Sequence, residues 1–241
     1  MSAPSTSNSI PPTARVVTAR VSPWLSAISY PLIRRFLFPL YFGKIVVSGA
    51  ENIPRSGPLI VAPTHRSRWD ALIVPCALGR PVTGRDFCFM VSANEMDGLQ
   101  GWFIRRLGGF PVDPKHPSLQ SVRHSVELLS RGRALVIFPE GNIFRDGNVR
   151  SLKPGPGRIA LQAQTHQTEK GESVKIVPVG LSYSQAYPTW GCDVRVAVGK
   201  PLDTLDYSQG STKHNAPHLM ADLEAALREL NDASVLTQAM P

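Results

Sequence analysis

A chain of 241 residues, 42% of them apolar, suits one domain with appendages and holds enough apolar material for a substantial core. Its formal net charge of +8 favours acidic partners such as nucleic acid, anionic lipid or phosphorylated small molecules. Aromatic residues make up only 7%, and no RNA-binding or zinc-finger signature occurs, which tilts the reading away from nucleic acid.

Residues 1–14 are rich in Ser, Pro, Thr and Ala, and a disordered tail is expected over 1–15. No Asp or Glu precedes Glu51, whereas Arg15, Arg20, Arg34, Arg35 and Lys44 all do. Such a start suits a transit peptide or a membrane-facing arm, and no signal-peptide pattern is read in it. Residues 21–42 carry Trp24, Tyr30, Phe36, Phe38, Tyr41 and Phe42, but Arg34-Arg35 cuts the run and Pro23, Pro31 and Pro39 punctuate it. Neither half approaches the roughly 20 residues a spanning helix needs. The expectation for 16–43 is an amphipathic helical segment lying in the membrane interface. A helix packed on the domain's own core is the alternative.

The rest of the chain alternates. Strands are expected at 45–48 and 59–62, then a helix at 71–78 and a buried strand at 87–91. A helix at 118–131 has Leu119, Val122, Val126 and Leu129 at helical spacing and is closed by Gly132. A strand at 134–138, a helix at 157–164, and strands at 174–183 and 193–198 follow; Leu219, Leu223, Leu227 and Leu230 stripe a C-terminal helix. This order predicts an α/β layered domain over 44–235, with a central mixed β-sheet flanked by helices. Cys76, Cys88 and Cys192 are widely spaced and form no Cys-x2-Cys pair. They read as buried small hydrophobes in a reducing compartment.

His65 follows the strand at 59–62, and Asp70 precedes the helix at 71–78. A loop histidine beside a helix-capping aspartate explains that spacing by itself. Farther on, Phe138-Pro139-Glu140-Gly141 places a carboxylate at a strand end, before a Gly-Asn turn. In that order the two blocks resemble the glycerolipid acyltransferase superfamily, of 1-acyl-sn-glycerol-3-phosphate acyltransferase type. Its members move a fatty acyl group from a thioester to an alcohol. The stretch Gly101-Trp102-Phe103 through Asp113, with Arg105 and Arg106, looks like the family's second block, and Ile176-Val177-Pro178-Val179-Gly180 like its fourth. Lys153-Pro154-Gly155 falls where a Lys-x-Gly often follows the third.

The resemblance implies His65 as the base that takes the acceptor's hydroxyl proton and Asp70 as its orienter. The chemistry is apt: histidine ordinarily titrates near neutrality, and a carboxylate on the other ring nitrogen fixes the tautomer and stabilises the cation. Glu140 and Gly141 are implied in acceptor binding and site organisation, with a purely structural turn carboxylate as the alternative. Two departures bear on phosphate recognition. Pro114 stands where the second block usually ends in arginine, and Asn142 and Ile143 replace the Thr-Arg that often follows the third. Arg105, Arg106, Lys115, Arg145 and Lys153 are the candidate replacement cations.

The expectation is a membrane-associated O-acyltransferase on the cytoplasmic face, without a spanning helix. Acyl-CoA or acyl-carrier-protein would donate, and a lysophospholipid, foremost 1-acylglycerol-3-phosphate, would accept to give phosphatidic acid. An anionic membrane surface is the third partner. No bound cofactor, metal or nucleic acid is implied; His214 and His218 have metal-ligand spacing but no acidic or Cys partner nearby. Backbone N–H groups near the His65 loop are candidate oxyanion donors, and an apolar groove is expected for the acyl chain. A noncatalytic basic lipid-binding protein of the same fold and a lipid hydrolase are the rival readings.

Overall fold

A computed structural model of the protein describes residues 18–113, 118–167 and 172–238. The tail expected over 1–15 and the candidate cation Lys115 lie outside these residues.

The strands are β1 (Phe42–Ser48), β2 (Leu59–Pro63), β3 (Phe87–Ser92), β4 (Gly109–Val112), β5 (Ala134–Val136), β6 (Lys175–Tyr183), β7 (Cys192–Val198) and β8 (Leu202–Asp203). The helices are α1 (Pro23–Leu32), α2 (Phe38–Tyr41), α3 (Asp70–Leu78), α4 (Arg80–Thr83), α5 (Gly98–Arg106), α6 (Leu119–Ser130), α7 (Gly155–Gln167) and α8 (Thr212–Gln238). All eight strands join one sheet in the order β1-β7-β6-β2-β5-β3-β4, with β8 on β6. Only the β6–β7 and β6–β8 pairs are antiparallel. The fold is the α/β layered domain with a mixed sheet that the alternation predicts.

Every residue of β2 is buried, as a strand covered on both faces requires. Its side chains alternate between two cores: Leu59 and Val61 face one, Ile60 and Ala62 the other. The first core is closed by α3 with Tyr30, Phe38 and Phe42, the second by α6, α7 and α8. β2 and β5 are parallel neighbours, yet the helices that follow them, α3 and α7, cover opposite faces. The chain therefore leaves the carboxyl ends of β2 and β5 toward opposite faces, the position at which α/β sheets place their sites.

The elements α4, α5, β4 and β8 escape the sequence patterns. The helix α5 is short and carries Gly98 and Gly101; a Cβ at Gly101 would lie 2.0 Å from the Met96 carbonyl oxygen. The strand β4 contains Pro111, which an edge strand tolerates. The strand expected at 134–138 stops at Val136, and Phe138 and Pro139 already belong to the turn.

The N-terminal segment is both packed and exposed. Pro23 starts α1, a π-helical stretch (Ile33–Leu37) follows, and α2 completes the rod. In the π turn Phe38 N–H reaches back five residues to the Ile33 carbonyl, just before Pro39, which has no N–H to give. Leu25, Tyr30 and Phe38 are buried. Trp24, Ile28, Leu32, Phe36 and Leu40 form an outward stripe with spacing of four residues, each more than half exposed. The sequence-based boundary at 43/44 falls inside β1, so segment and domain share a strand. Among the described residues no helix is long and apolar enough to cross a membrane.

All three cysteines are free and buried. Burial pushes the Cys76 thiol up to about 12 and the Cys88 thiol up to about 11.

Candidate active site

The site begins where β2 leaves the sheet. Thr64 still pairs with β6: its N–H donates to the Val179 carbonyl at 2.9 Å, and its Oγ1 accepts from Leu181 N–H at 2.8 Å. The chain then turns over His65 to Trp69 and enters α3 at Asp70. A carboxylate at a helix start accepts the orphan N–H groups of the preceding turn. Asp70 Oδ2 takes the N–H groups of Arg66 at 2.6 Å and Ser67 at 2.9 Å. The same oxygen lies 2.9 Å from His65 Nδ1. The other oxygen, Oδ1, accepts from the Tyr183 hydroxyl at 2.5 Å.

Asp70 is fully buried, while the His65 side chain keeps 19% of its surface exposed. The carboxylate holds acceptors only, so Nδ1 carries the proton and Nε2 keeps its lone pair. The imidazole lies stacked on Phe138, with ring centroids 4.1 Å apart and planes 24° apart. Burial first, and then the neighbouring Asp70 charge, hold the Tyr183 hydroxyl far above the ordinary tyrosine range. It therefore remains a donor at any working pH.

Glu140 locks this loop to the next one. Its Oε2 accepts the His65 N–H at 2.8 Å, and its Oε1 accepts the Arg150 N–H at 3.0 Å. Arg66 Nη1 donates to both oxygens, at 3.1 Å and 2.9 Å. Arg66 and Glu140 are both buried. His65 O in turn accepts the Phe144 N–H at 2.9 Å. Gly141 N–H donates to the Phe138 carbonyl at 3.1 Å, and the glycine's φ of +71° turns the chain on into the loop that follows. A histidine base held by a buried carboxylate, with its free nitrogen reachable, is suited to deprotonating a hydroxyl.

A protein-family model described as "Acyltransferase" matches residues 44–182, which span this whole constellation. The chain belongs to the acyltransferase family. Among its relatives, the 1-acyl-sn-glycerol-3-phosphate acyltransferase of Streptococcus pneumoniae is 30% identical over 172 residues, covering 68% of this chain and 58% of that protein. The protein of that name from Bacillus subtilis is 26% identical over 191 residues, covering 79% and 89%. The crystal structure of the 1-acyl-sn-glycerophosphate (LPA) acyltransferase of Thermotoga maritima shares the fold, with a TM-score of 0.55 at 24% identity over 79% of this chain and 72% of that one.

In this acyltransferase the sequence-derived site residues divide into groups. His65, Asp70, Glu140 and Gly141 come together at the carboxyl edge of β2 and β5. Lys153 joins them through its backbone, donating to the Pro139 carbonyl at 2.8 Å, and its exposed side chain packs its stem beside Gly141. Arg145 is exposed on the same loop, its guanidinium 4.7 Å from the Tyr187 ring centroid. Arg105 and Arg106 are engaged elsewhere. They end α5, where Arg105 donates to the Met96 carbonyl at 2.6 Å and Arg106 stacks on Trp102 at 4.1 Å. The N–H groups expected as oxyanion donors are committed at His65, Arg66 and Ser67, to Glu140 and Asp70.

Arg66 and Tyr183 are the site residues that sequence reasoning missed. A signal for Arg66 exists: a carboxylate delivered by a buried strand needs a cation, and Arg66 is beside His65. Tyr183 carries none, because 113 residues separate it from Asp70.

Proposed function

We propose that the protein transfers a fatty acyl group from an acyl thioester, acyl-CoA or acyl-carrier-protein, to the free hydroxyl of a lysophospholipid, with 1-acylglycerol-3-phosphate as acceptor and phosphatidic acid as product. The observation that carries this reading is the 2.9 Å contact between His65 Nδ1 and buried Asp70. The names of the relatives support the acceptor.

His65 Nε2 takes the acceptor's hydroxyl proton as that oxygen attacks the thioester carbonyl. Asp70 stabilises the imidazolium that forms. The tetrahedral intermediate then collapses, the carbon–sulfur bond breaks, and the thiolate leaves with the proton from His65. An ester and a free thiol result, with no acyl-enzyme in between. Tyr183 positions Asp70, and Glu140 with Arg66 positions the His65 backbone. Among the described candidate cations, Arg145 and Lys153 are the ones near enough to serve an acceptor phosphate.

A cavity of about 360 Å³ between α2, β1 and α3, lined by Phe38, Pro39, Ile45, Val47 and Ala77 with Arg34 at its edge, is suited to an acyl chain. Ala77 lies about 10 Å along α3 from Asp70, at the helical rise per residue. The stripe Trp24–Ile28–Leu32–Phe36–Leu40, with Arg34 and Arg35 beside it, supports docking on an anionic membrane surface, which is where a lysophospholipid resides.

The test is incubation with acyl-CoA or acyl-carrier-protein and a panel of lysolipids, read by mass spectrometry. A new diacyl lipid with one thiol released per ester formed is the expected result. Release of free fatty acid alone would convert the reading to a hydrolase. Lipid binding without turnover would leave only a noncatalytic binder.

A further inference from the structure

The hairpin joining β6 and β7 reads Ser184-Gln185-Ala186-Tyr187-Pro188-Thr189-Trp190-Gly191, without a single charge. β6 runs parallel to β2, so this hairpin emerges at the same sheet edge as His65. Tyr187 is 70% exposed and Trp190 67% exposed. Scattered apolar side chains on a surface need no explanation. Two large aromatics on one uncharged tip, next to a catalytic edge, do.

The tip is also held firmly. Gly191 N–H donates to the Tyr41 carbonyl at 2.8 Å, and the Tyr41 hydroxyl donates to the Pro188 carbonyl at 3.1 Å. The Tyr41 and Trp190 rings are 5.9 Å apart. Tyr41 is the last residue of α2 and follows Leu40, the end of the exposed apolar stripe. The hairpin therefore continues that stripe around the mouth of the site. Arg145 stacks on Tyr187 and puts a cation at the same rim.

We propose that the β6–β7 hairpin is a second membrane-contact element, with Trp190 and Tyr187 seated at the lipid–water interface and Arg145 facing lipid phosphate. Trp and Tyr suit that boundary because one end of each ring is apolar and the other carries a polar handle. Arg145 holds its guanidinium over the Tyr187 ring at this rim, where its N–H groups can meet an anionic headgroup. The inference rests on the membrane association proposed above and adds a consequence to it. Contact through α1–α2 alone leaves the protein free to rock, whereas contact on two sides of the His65 loop holds the catalytic edge against the bilayer.

The test uses full-length protein carrying Trp24→Phe, Trp69→Phe and Trp102→Phe, so that Trp190 is the only tryptophan. With vesicles of equimolar phosphatidylcholine and phosphatidylglycerol, its emission should shift to the blue and be quenched by brominated acyl chains. Should that triple variant fail to fold, Tyr187→Cys bearing an environment-sensitive dye gives the same readout, since the native cysteines are buried. In the otherwise native chain, Trp190→Ser should weaken vesicle binding by roughly fivefold, as expected for withdrawing one half-buried aromatic. It should lower turnover on vesicle-embedded acceptor similarly and leave turnover on a monomeric short-chain acceptor unchanged. If the wild-type protein does not bind vesicles at all, the membrane reading itself falls. If it binds while Trp190 stays unquenched and Trp190→Ser binds equally well, only the hairpin's role is overturned. The same holds if Trp190 is buried solely in a second copy of the chain.

Discussion

Two loops leave the same edge of the sheet and are built in opposite ways. The loop between β2 and α3 is short, and apart from the exposed Arg68 its polar groups point inward. Asp70 receives four donors, and the N–H groups of His65, Arg66 and Ser67 are all taken. The loop between β5 and α7 is longer, and beyond Glu140 it carries Arg145, Arg150 and Lys153 on its outside. Glu140 is the rivet between them. Proton transfer needs a fixed geometry to within a fraction of an ångström, which buried and fully bonded groups supply. Recognition of a headgroup needs cations that solvent and lipid can reach. Damage to the first loop should therefore abolish turnover or the fold, and damage to the second should alter affinity.

The sharpest break is at the base itself. His65→Ala should reduce turnover by about a thousandfold or more while the protein stays folded, with a stability loss of about 1–2 kcal/mol because buried Asp70 loses one donor. Asp70→Asn should reduce turnover comparably and lower stability as well, since an amide cannot accept from all the donors now on the carboxylate. Near-normal turnover in folded His65→Ala would remove the proposed mechanism.

Next is a comparison of two arginines, one per loop. Arg66→Met strands Glu140 in the interior without its cation and should cost about 3–5 kcal/mol in urea unfolding. Arg150→Ala breaks an ion pair with Asp146 that is half exposed, and should stay within about 1 kcal/mol. Similar losses in both would erase the contrast between the loops.

Tyr183→Phe removes one neutral donor from a buried carboxylate. It should lower stability by about 1–2 kcal/mol. It should also slow turnover by about tenfold, far less than loss of the base. Full activity in Tyr183→Phe would make the 2.5 Å contact purely structural.

The mildest effect is expected on the outer loop. Arg145→Ala should raise the KM for 1-acylglycerol-3-phosphate by roughly tenfold and leave kcat unchanged, because a headgroup contact acts equally in ground and transition states. Lys153→Ala should do the same more weakly, since an ammonium binds as a point charge. Unchanged acceptor kinetics in both would point to an uncharged acceptor.

The N-terminal segment shows why a sequence leaves alternatives standing. Its prolines, arginines and aromatics predict an interfacial helix or a core helix, and in the structure one face of the segment packs on the core while the other is exposed. Tyr30 and Phe38 are buried, while Trp24 and Phe36, drawn from the same aromatic run, are exposed. Hydropathy along the chain does not separate them; the position of α3 and β1 against one side of the rod does. The cations behave alike. Arg105, Arg106, Arg145 and Lys153 are all sequence candidates, Arg145 foremost for lying five positions beyond Glu140; α5 draws Arg105 and Arg106 onto Met96 and Trp102, and Arg145 stands exposed beside Tyr187.

By itself the sequence determined what short-range chemistry determines. Alternation and helical spacing dictate the layered α/β domain, and five positions of chain let a histidine at a strand end fold back onto an aspartate at a helix start. Only the tertiary structure decided which distant groups complete that pair. Tyr183 reaches Asp70 because β6 lies beside β2, and Arg66 meets Glu140 because β5 lies on β2's other side. Strand order has no local signature: it follows from burying two apolar faces at once, so partners set by adjacency in the sheet become visible only when the sheet is assembled.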